Sequence, residues 1–170
     1  MVLHPLFDLT GRVALVTGAS RNMGRAAAVA LAEAGADLMI CSRRAENLDD
    51  TAHEIAALGR RVIPVTCDVS DAEQIERMYR RLDQEFGGID VLAAIPGDNV
   101  LRHPEEIGVD EFASTLQSTL VGKFCCCQQA GRRMLRAGKG SIIVMSSIGG
   151  VLALGRGNFA YSVGQSGAIQ

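Results

Sequence analysis

The stretch VTGASRNMGR, residues 16–25, decides the fold of this chain. The apolar run RVALVTG leads into it, and the alanine-rich run GRAAAVALAEAG follows. The first run is typical of a buried strand ended by glycine, and the second of a helix closed by Gly35. Gly18 and Gly24 let the backbone approach a ligand closely, and the free N–H groups of a helix N-terminus favour anions. We therefore expect a phosphate-bearing ligand at this strand–turn–helix junction.

Strand-like and helix-like segments alternate along the rest of the chain. The later strands are predicted at DLMICS, RVIPVTCD, IDVLAAIPG and GSIIVMSS. Helices are predicted at AENLDDTAHEIAAL, at DAEQIERMYRRLDQEFGG, over residues 109–137 with a break near the middle, and from about Phe159 onward. Repeated β-α units imply a parallel sheet with helices on both faces. The prediction is an α/β, doubly wound, Rossmann-like domain of three α/β/α layers over residues 1–170.

Two local features support this topology. Pro64 lies inside the third strand, and proline favours an edge strand because it cannot donate to a ladder. In a doubly wound sheet of order 3-2-1-4-5-6, the third strand is the edge. Asp71 is placed to cap the following helix, whose apolar stripe is predicted to be core; the stripe comprises Ile75, Met78, Tyr79, Leu82 and Phe86.

The composition favours one globular domain. The chain has 170 residues, 48% of them hydrophobic, and a net charge of −2 from interspersed charges. No basic stripe suggests nucleic acid, and no apolar run is long enough to cross a membrane. The first residues lack a signal-peptide pattern. Five cysteines without C-x-x-C spacing favour buried thiols in a reducing cytoplasm over a zinc site or another metal site.

The motifs resemble those of the classical short-chain dehydrogenases/reductases over essentially the whole chain. TGASRNMG resembles their T-G-x-x-x-G-x-G turn, with Asn22 at the middle glycine; asparagine tolerates left-handed backbone. CDVSD resembles the adenine-contacting D-V pair, and IDVLAAIPG stands where the family has D-x-L-V-N-N-A-G. GSIIVMSS and YSVGQ match the serine and tyrosine segments, as in members of the 3-oxoacyl-carrier-protein reductase and gluconate 5-dehydrogenase type.

The resemblance implies a catalytic set for hydride transfer between a ketone and a secondary alcohol. Tyr161 would be the acid/base and Ser147 the donor that orients the carbonyl, with Ser146 as the alternative. The spacing from Ser147 to Tyr161 is one residue longer than is commonest in the family, so we expect the loop between them to bulge. Gln165 stands at the family's lysine and Thr119 at its asparagine.

The same resemblance implies the cofactor site. Its residues would be Gly18, Ser20, Arg21, Asn22, Met23 and Gly24 in the turn, Ser42 and Arg43 after the second strand, Asp68 and Val69, Ala94, Ile95, Pro96 and Gly97, and Tyr161. An acid about 20 residues after the turn would select NAD, but Ser42 and Arg43 stand there. Two guanidinium groups, Arg21 and Arg43, suit a 2′-phosphate, so we predict NADP(H) over NAD(H). The alternative is that Arg43 and Arg44 form an ordinary solvated helix start.

The departures from the family pattern imply weakened chemistry. Gln165 can bind a ribose hydroxyl but supplies no charge, and a water held by Thr119 would lead to no ammonium. We therefore expect alcohol oxidation to suffer more than ketone reduction near pH 7. One alternative is a dinucleotide-binding or oligomer-partner protein without turnover. Family chains also continue beyond residue 170 with two more strands and a substrate loop, so another reading is a fragment of a longer enzyme.

The expected partners follow from the same comparison. A small carbonyl or alcohol substrate is implied, while its identity among sugars, acyl thioesters, steroids and quinones stays open. The segment from Leu120 to Cys127 and the helix from Phe159 resemble the helix pair through which family members dimerise. We therefore expect a homodimer or homotetramer.

Overall fold

A five-stranded parallel sheet forms the centre of the molecule. The computed structural model describes residues 5–95, 97, 100–155 and 157–170. Its strands are β1 (Val13–Thr17), β2 (Asp37–Ser42), β3 (Val62–Thr66), β4 (Val91–Ala94) and β5 (Ser141–Val144). Within these residues the order is β3-β2-β1-β4-β5, and every pairing is parallel. The predicted doubly wound sheet is confirmed, with Pro64 in the edge strand β3, opposite Ile40.

Helices connect successive strands. They are α1 (Asn22–Glu33), α2 (Asp49–Ala57), α3 (Ala72–Phe86), α4 (Val109–Leu116), α5 (Gly122–Ala137) and α6 (Phe159–Ile169). Short 3₁₀ turns lie at Pro5–Phe7, Ala45–Leu48 and Ile148–Gly150. One π turn, Gln117–Val121, joins α4 to α5 and accounts for the predicted break. None of the helices in the described part of the chain is both long and apolar enough to cross a membrane.

Alternate residues of the strands point to opposite faces of the sheet and pack into two separate hydrophobic cores. On one face, Ala14, Val16, Leu38 and Ile40 pack with Ala28 and Ala32 of α1 and Ile55 of α2. On the other, Leu15, Met39 and Leu92 pack with the α3 stripe and with Cys126, Ala130 and Met134 of α5. β1 is buried on both sides, as a central parallel strand requires. β5 differs, since Ile143 is 48% exposed.

The ends of two helices follow from local chemistry. The Asp71 carboxylate accepts hydrogen bonds from the backbone N–H groups of Glu73 and Gln74 and so caps α3 as predicted. At the end of α1, Gly35 has φ +102°, and its N–H and that of Ala36 donate back to the last turn. This left-handed glycine closes the helix and turns the chain into β2.

The apolar stripe of α3 is buried core at four of its five positions, as predicted, and Phe86 is partly buried against them. Tyr79 is fully buried, and its hydroxyl donates to the Cys126 carbonyl at 2.8 Å. The guanidinium of Arg133 lies over its ring, 4.8 Å from the centroid, and pairs with Asp83. Burial raises the pKa of the Cys126 thiol, which therefore stays protonated and packs as a small apolar group.

Candidate active site

The glycine turn between β1 and α1 brings main chain against main chain. Gly18 has φ +71° and Asn22 has φ +49°, so the asparagine does adopt the left-handed backbone expected of it. A Cβ on Gly24 would overlap the carbonyl oxygen of Gly18. The first turn of α1 can therefore approach the end of β1 only because residue 24 is glycine.

The turn is also fixed from outside. The N–H of Ala19 donates to the Cys41 carbonyl at 3.1 Å, and the buried hydroxyl of Thr51 donates to the Ala19 carbonyl at 3.0 Å. Arg21 is the N-cap of α1, and its side chain makes no capping hydrogen bond. The N-terminus of α1 thus has no capping hydrogen bond from its N-cap side chain, and this arrangement suits a phosphate.

A cleft of about 250 Å³ opens above this turn. Most of the residues predicted to bind a cofactor line it, namely Gly18, Ser20, Arg21, Asn22, Met23, Gly24, Ser42, Arg43, Asp68, Val69, Ile95 and Gly97. Ala94 does not line it, because it is a fully buried residue of β4. Pro96 lies outside the described residues. Cys67 and Ser118 also line the cleft and were not predicted.

The two arginines border the same end of the cleft. Arg21 and Arg43 also line an adjoining hollow. Its other charged lining residues are Arg44 and three acids, Glu46, Asp49 and Asp50. The Ser42 hydroxyl is engaged with the backbone of Arg44, to which it donates and from which it accepts. Serine and arginine therefore occupy the end of β2, where an acid would otherwise face the cleft.

Asp68 and Val69 form the wall opposite the turn. The Asp68 carboxylate accepts hydrogen bonds from the N–H and hydroxyl of Ser70, at 2.9 and 2.7 Å. The carbonyl of Val69 approaches α5 so closely that a Cβ on Gly122 would overlap it. Glycine at the start of α5 thus lets this wall and the helix meet.

Three of the predicted catalytic side chains meet around Gly97 at the far end of the cleft. A Cβ placed on Gly97 would lie 3.1 Å from Nε2 of Gln165, 3.5 Å from Cε2 of Tyr161 and 3.6 Å from the methyl group of Thr119. Tyr161 is in the first turn of α6, and Gln165 lies one turn further on the same helix. This catalytic corner, the side chains around Gly97, is contiguous with the cleft because Gly97 lines both.

The two serines after β5 have different hydrogen bonds. The hydroxyl of Ser146 donates to the backbone carbonyl of Gln165 at 3.1 Å. The oxygen of Ser147 accepts from the N–H of Gly149 at 3.2 Å and caps the 3₁₀ turn Ile148–Gly150. Ser147 therefore keeps its own proton available to a ligand, while the proton of Ser146 holds α6. The loop that follows passes through left-handed backbone at Gly155 and Gly157.

Thr119 is fully buried within the π turn. Its hydroxyl donates to the Thr115 carbonyl at 2.6 Å, and a Cβ on Gly164 would overlap that hydroxyl. Thr119 thus completes the hydrogen bonding of its own helix and packs against α6. π turns of this kind are frequent at functional sites.

Sequence reasoning missed Lys123, the second residue of α5. It is only 2% exposed, and its ammonium donates to the Met145 carbonyl at 2.6 Å and to Oε1 of Gln165 at 3.0 Å. Burial lowers the pKa of Lys123 to about 8, and a charge on Cys127 would raise it. The expectation that no ammonium lies at this end of the site is therefore wrong. A lysine from another helix contacts the glutamine.

A signal for Lys123 was present in the sequence. Thr119, Lys123, Cys126 and Ala130 follow the i, i+4, i+7, i+11 spacing of a buried helix face, and all four are buried. A lysine on such a face needs a partner, because an isolated buried charge is costly. The sequence showed this anomaly but could not show which acceptor was near. Among the described residues, no group of three or more His, Cys, Asp or Glu side chains could hold a metal ion.

Comparison with known proteins identifies the family. The family model for short chain dehydrogenase matches residues 12–170. D-threitol dehydrogenase of Mycolicibacterium smegmatis is 36% identical over 163 residues, which cover 96% of this chain and 62% of the relative.

Solved structures agree over the same region. The Pseudomonas aeruginosa RhlG/NADP active-site complex is similar with a TM-score of 0.89 and 31% identity, over 97% of this chain and 66% of that one. NAD⁺-bound xylitol dehydrogenase is similar with a TM-score of 0.90 and 27% identity, over 95% of this chain and 62% of that one. This chain thus spans less than two thirds of the length of each of these relatives. With its glycine turn, cleft and catalytic corner, the chain belongs to the short chain dehydrogenase family.

Proposed function

We propose that this chain is an NADP(H)-dependent oxidoreductase that interconverts a ketone and a secondary alcohol. The observation that carries the proposal is the convergence of Tyr161 and Gln165 on Gly97, at the end of a cleft that begins with a helix N-terminus. A dinucleotide whose phosphates lie at α1 would extend along this cleft toward Tyr161. The left-handed Asn22 and the side-chain-free Gly24 fit such a ligand.

The choice of NADP(H) rests on charge. Arg21 and Arg43 border the cleft where the adenosine ribose of a dinucleotide would lie, and Ser42 occupies the end of β2. Guanidinium groups pair well with a doubly charged phosphate. Among the similar structures, RhlG is in complex with NADP and xylitol dehydrogenase is bound to NAD⁺, so the family accommodates both.

Cofactor titration tests this choice. The chain has no tryptophan, so nicotinamide emission can be followed with little interference. NADPH should bind more tightly than NADH, since each charge-assisted hydrogen bond contributes about 1.5–3 kcal/mol. Arg43→Asp should invert the order. Arg80→Asp makes the same change in net charge on the exposed surface of α3, where Arg80 pairs with Glu76, and should leave the preference intact. Equal affinities in the unmodified protein would refute the assignment.

The chemistry assigned to this chain is proton transfer and carbonyl polarisation. The nicotinamide, when bound, supplies the hydride to the carbonyl carbon. The Tyr161 hydroxyl gives its proton to the carbonyl oxygen, and solvent later returns one to the phenolate. The Ser147 hydroxyl donates a hydrogen bond to the same oxygen. We assign this role to Ser147 rather than Ser146, because the proton of Ser146 is already donated to Gln165.

A second candidate function is dinucleotide binding without turnover. Two observations favour it: glutamine at the family's lysine position, and a Thr119 hydroxyl engaged within its own helix. On this reading the enzyme frame serves as a binding or oligomer-partner protein. A panel of sugars, acyl thioesters, steroids and quinones with NADPH separates the two. Turnover that is lost in Tyr161→Phe supports the enzyme, whereas tight NADPH binding without turnover supports the second candidate.

We further propose a homodimer or homotetramer in the cytoplasm. On α5, Phe124 is 58% exposed; on α6, Phe159 and Val163 are also exposed. These apolar residues belong to the two helices that resemble the family's dimerising pair. The five cysteines are free thiols, which suits a reducing compartment. Light scattering at micromolar concentration tests the assembly, and Phe124→Glu should shift it toward monomer.

A further inference from the structure

Lys123 joins the three elements that carry the catalytic corner. It extends from α5, and its ammonium donates to the carbonyl of Met145 just after β5 and to the side chain of Gln165 on α6. Ser147 follows Met145 by two residues, and Tyr161 lies one turn before Gln165. One buried cation therefore fixes the spacing between the serine segment and the tyrosine helix.

The same ammonium determines which way the Gln165 amide points. An ammonium is only a donor, so Gln165 must present Oε1 to it and direct Nε2 away. Nε2 then lies 3.1 Å from the position of a Cβ on Gly97, beside the edge of the Tyr161 ring. Lys123 thus presents the donor end of the amide to the cleft. Ribose hydroxyl oxygens accept hydrogen bonds from such a donor.

The charge of Lys123 is poorly screened because the side chain is buried. Among the described residues, the titratable group that changes the pKa of Lys123 is Cys127, which lies on the same helix and raises it. The two groups that accept hydrogen bonds from Lys123 are uncharged: the backbone carbonyl of Met145 after β5 and the side-chain amide of Gln165 on α6. With the pKa of Lys123 lowered to about 8, the side chain is largely protonated at pH 7. A positive charge therefore lies directly behind the amide.

We propose that Lys123 is a positioning residue that acts through Gln165, so that the two side chains together replace the single lysine found at position 165 in the family. Gln165 supplies the hydrogen-bond donor to the ribose, and Lys123 supplies a buried positive charge behind that donor. This inference rests on the proposed function, because it concerns the same site and cofactor. It also replaces the expectation that the chemistry of this chain lacks a cation.

A swap of the two positions tests the proposal. Lys123→Met should weaken NADPH binding and lower kcat, each by about tenfold, which is the size expected for one charge-assisted hydrogen bond. It should also remove an apparent pKa near 8 from the pH profile. Gln165→Lys alone should bring no gain, because two ammonium groups would then share one site. The double variant Lys123→Met/Gln165→Lys should regain the affinity and kcat lost in Lys123→Met.

Gln165→Glu separates charge and orientation from simple anchoring. Glutamate still accepts from Lys123, so the three elements stay joined and the variant should fold even if Lys123→Met does not. It neutralises the cation and turns an acceptor toward the cleft, so NADPH affinity should fall at least tenfold. Wild-type affinity in Gln165→Glu, or improved affinity in Gln165→Lys with Lys123 in place, would overturn the proposal.

Failure of the proposed function would look different. If Tyr161→Phe kept full turnover, or if the unmodified protein turned over no ketone, the oxidoreductase assignment would fail. The NADPH affinities of the same four variants would still decide the role of Lys123. If the unmodified protein bound no NADPH, the inference would fall together with the cofactor assignment, since no ribose would be there to position.

Discussion

The glycine turn and the catalytic corner lie at opposite ends of one cleft and are held in different ways. In the turn, the critical contact is between main-chain atoms, since a Cβ on Gly24 would overlap the Gly18 carbonyl. In the corner, side chains from separate helices meet, as in the hydrogen bond between Lys123 and Gln165. A main-chain contact permits one residue type. A side-chain contact permits several residue types, because a substitution at one position can be offset by a substitution at the other.

The largest expected effect is at the corner, in Tyr161→Phe. The substitution removes the proposed proton donor and leaves the ring edge beside Gly97. General acid–base catalysis contributes about 10²–10⁴-fold, so kcat for ketone reduction should fall within that range. NADPH affinity, measured by nicotinamide emission, should change little, because the proposed phosphate site is at the other end of the cleft. A fall in affinity as large as the fall in kcat would mean that the two regions are not separable.

At the turn, Gly24→Ala should disrupt main-chain packing. The added methyl group meets the backbone of Gly18, which cannot rotate away as a side chain could. Overpacking costs about 1–3 kcal/mol, and occasionally more. Urea unfolding should therefore show a lower midpoint, and NADPH binding should be lost. Gly88→Ala, where an added Cβ meets nothing within 4 Å, is the matched control.

The corresponding glycine at the corner should behave differently. A Cβ on Gly164 would overlap the hydroxyl of Thr119, which is a side-chain atom. Gly164→Ala should destabilise the chain, but adding Thr119→Ala should recover part of the loss, because neighbouring sites are not additive. No second side-chain substitution should rescue Gly24→Ala in this way. Equal rescue at both glycines would contradict the comparison.

Lys123 should make stability depend on pH. Burial lowers its pKa from 10.5 to about 8 in the folded chain. Below about pH 8 Lys123 is protonated in both the folded and the unfolded chain, and the folded chain is destabilised by burying the ammonium. Between about pH 8 and 10.5 the unfolded state still binds the proton, so the contribution of Lys123 to the free energy of unfolding rises with pH, by about 1–3 kcal/mol.

Urea unfolding at pH 7 and pH 10 checks this dependence. Because buried thiols such as Cys126 and Cys127 have raised pKa values and act in the opposite direction, the quantity to compare is the difference between proteins. The unmodified chain should gain stability relative to Lys123→Met between the two pH values. Lys139→Met is the control, because Lys139 is exposed and pairs with Asp90 at the surface. If all three proteins showed the same change between the two pH values, the Lys123 ammonium would not be buried as described.

The smallest expected effect is at the hydrogen bond that holds the glycine turn to α2. The hydroxyl of Thr51 donates to the Ala19 carbonyl inside the protein. Thr51→Val keeps the shape and removes that donor, which should cost about 1 kcal/mol and modestly weaken NADPH binding. Thr51→Ser keeps the hydroxyl and should retain the affinity for NADPH. If the valine variant bound NADPH as tightly as wild type, the turn would be fixed by its glycines alone.

The sequence by itself determined the sheet, its edge strand and the glycine turn. The signals there are local: β-branched runs, Pro64, the Asp71 cap, and glycines whose spacing reports main-chain contacts. These features depend on backbone conformation within a few residues, so a pattern in the chain is enough to predict them. The assignment of Tyr161 to the site came from the resemblance of YSVGQ to the family's tyrosine segment.

Only the tertiary structure decided how the corner is completed. The motif at residues 161–165 showed a missing lysine, and the helix over residues 122–137 showed a lysine on a buried face. Neither observation identifies the other as its partner, because the two residues are 42 positions apart and meet only when α5 and α6 pack together. The direction of the Gln165 amide follows from that contact, since an ammonium accepts no hydrogen bond and therefore faces the carbonyl oxygen. The chemistry of a side chain is set by whatever lies next to it in space, and that proximity is a property of the folded chain.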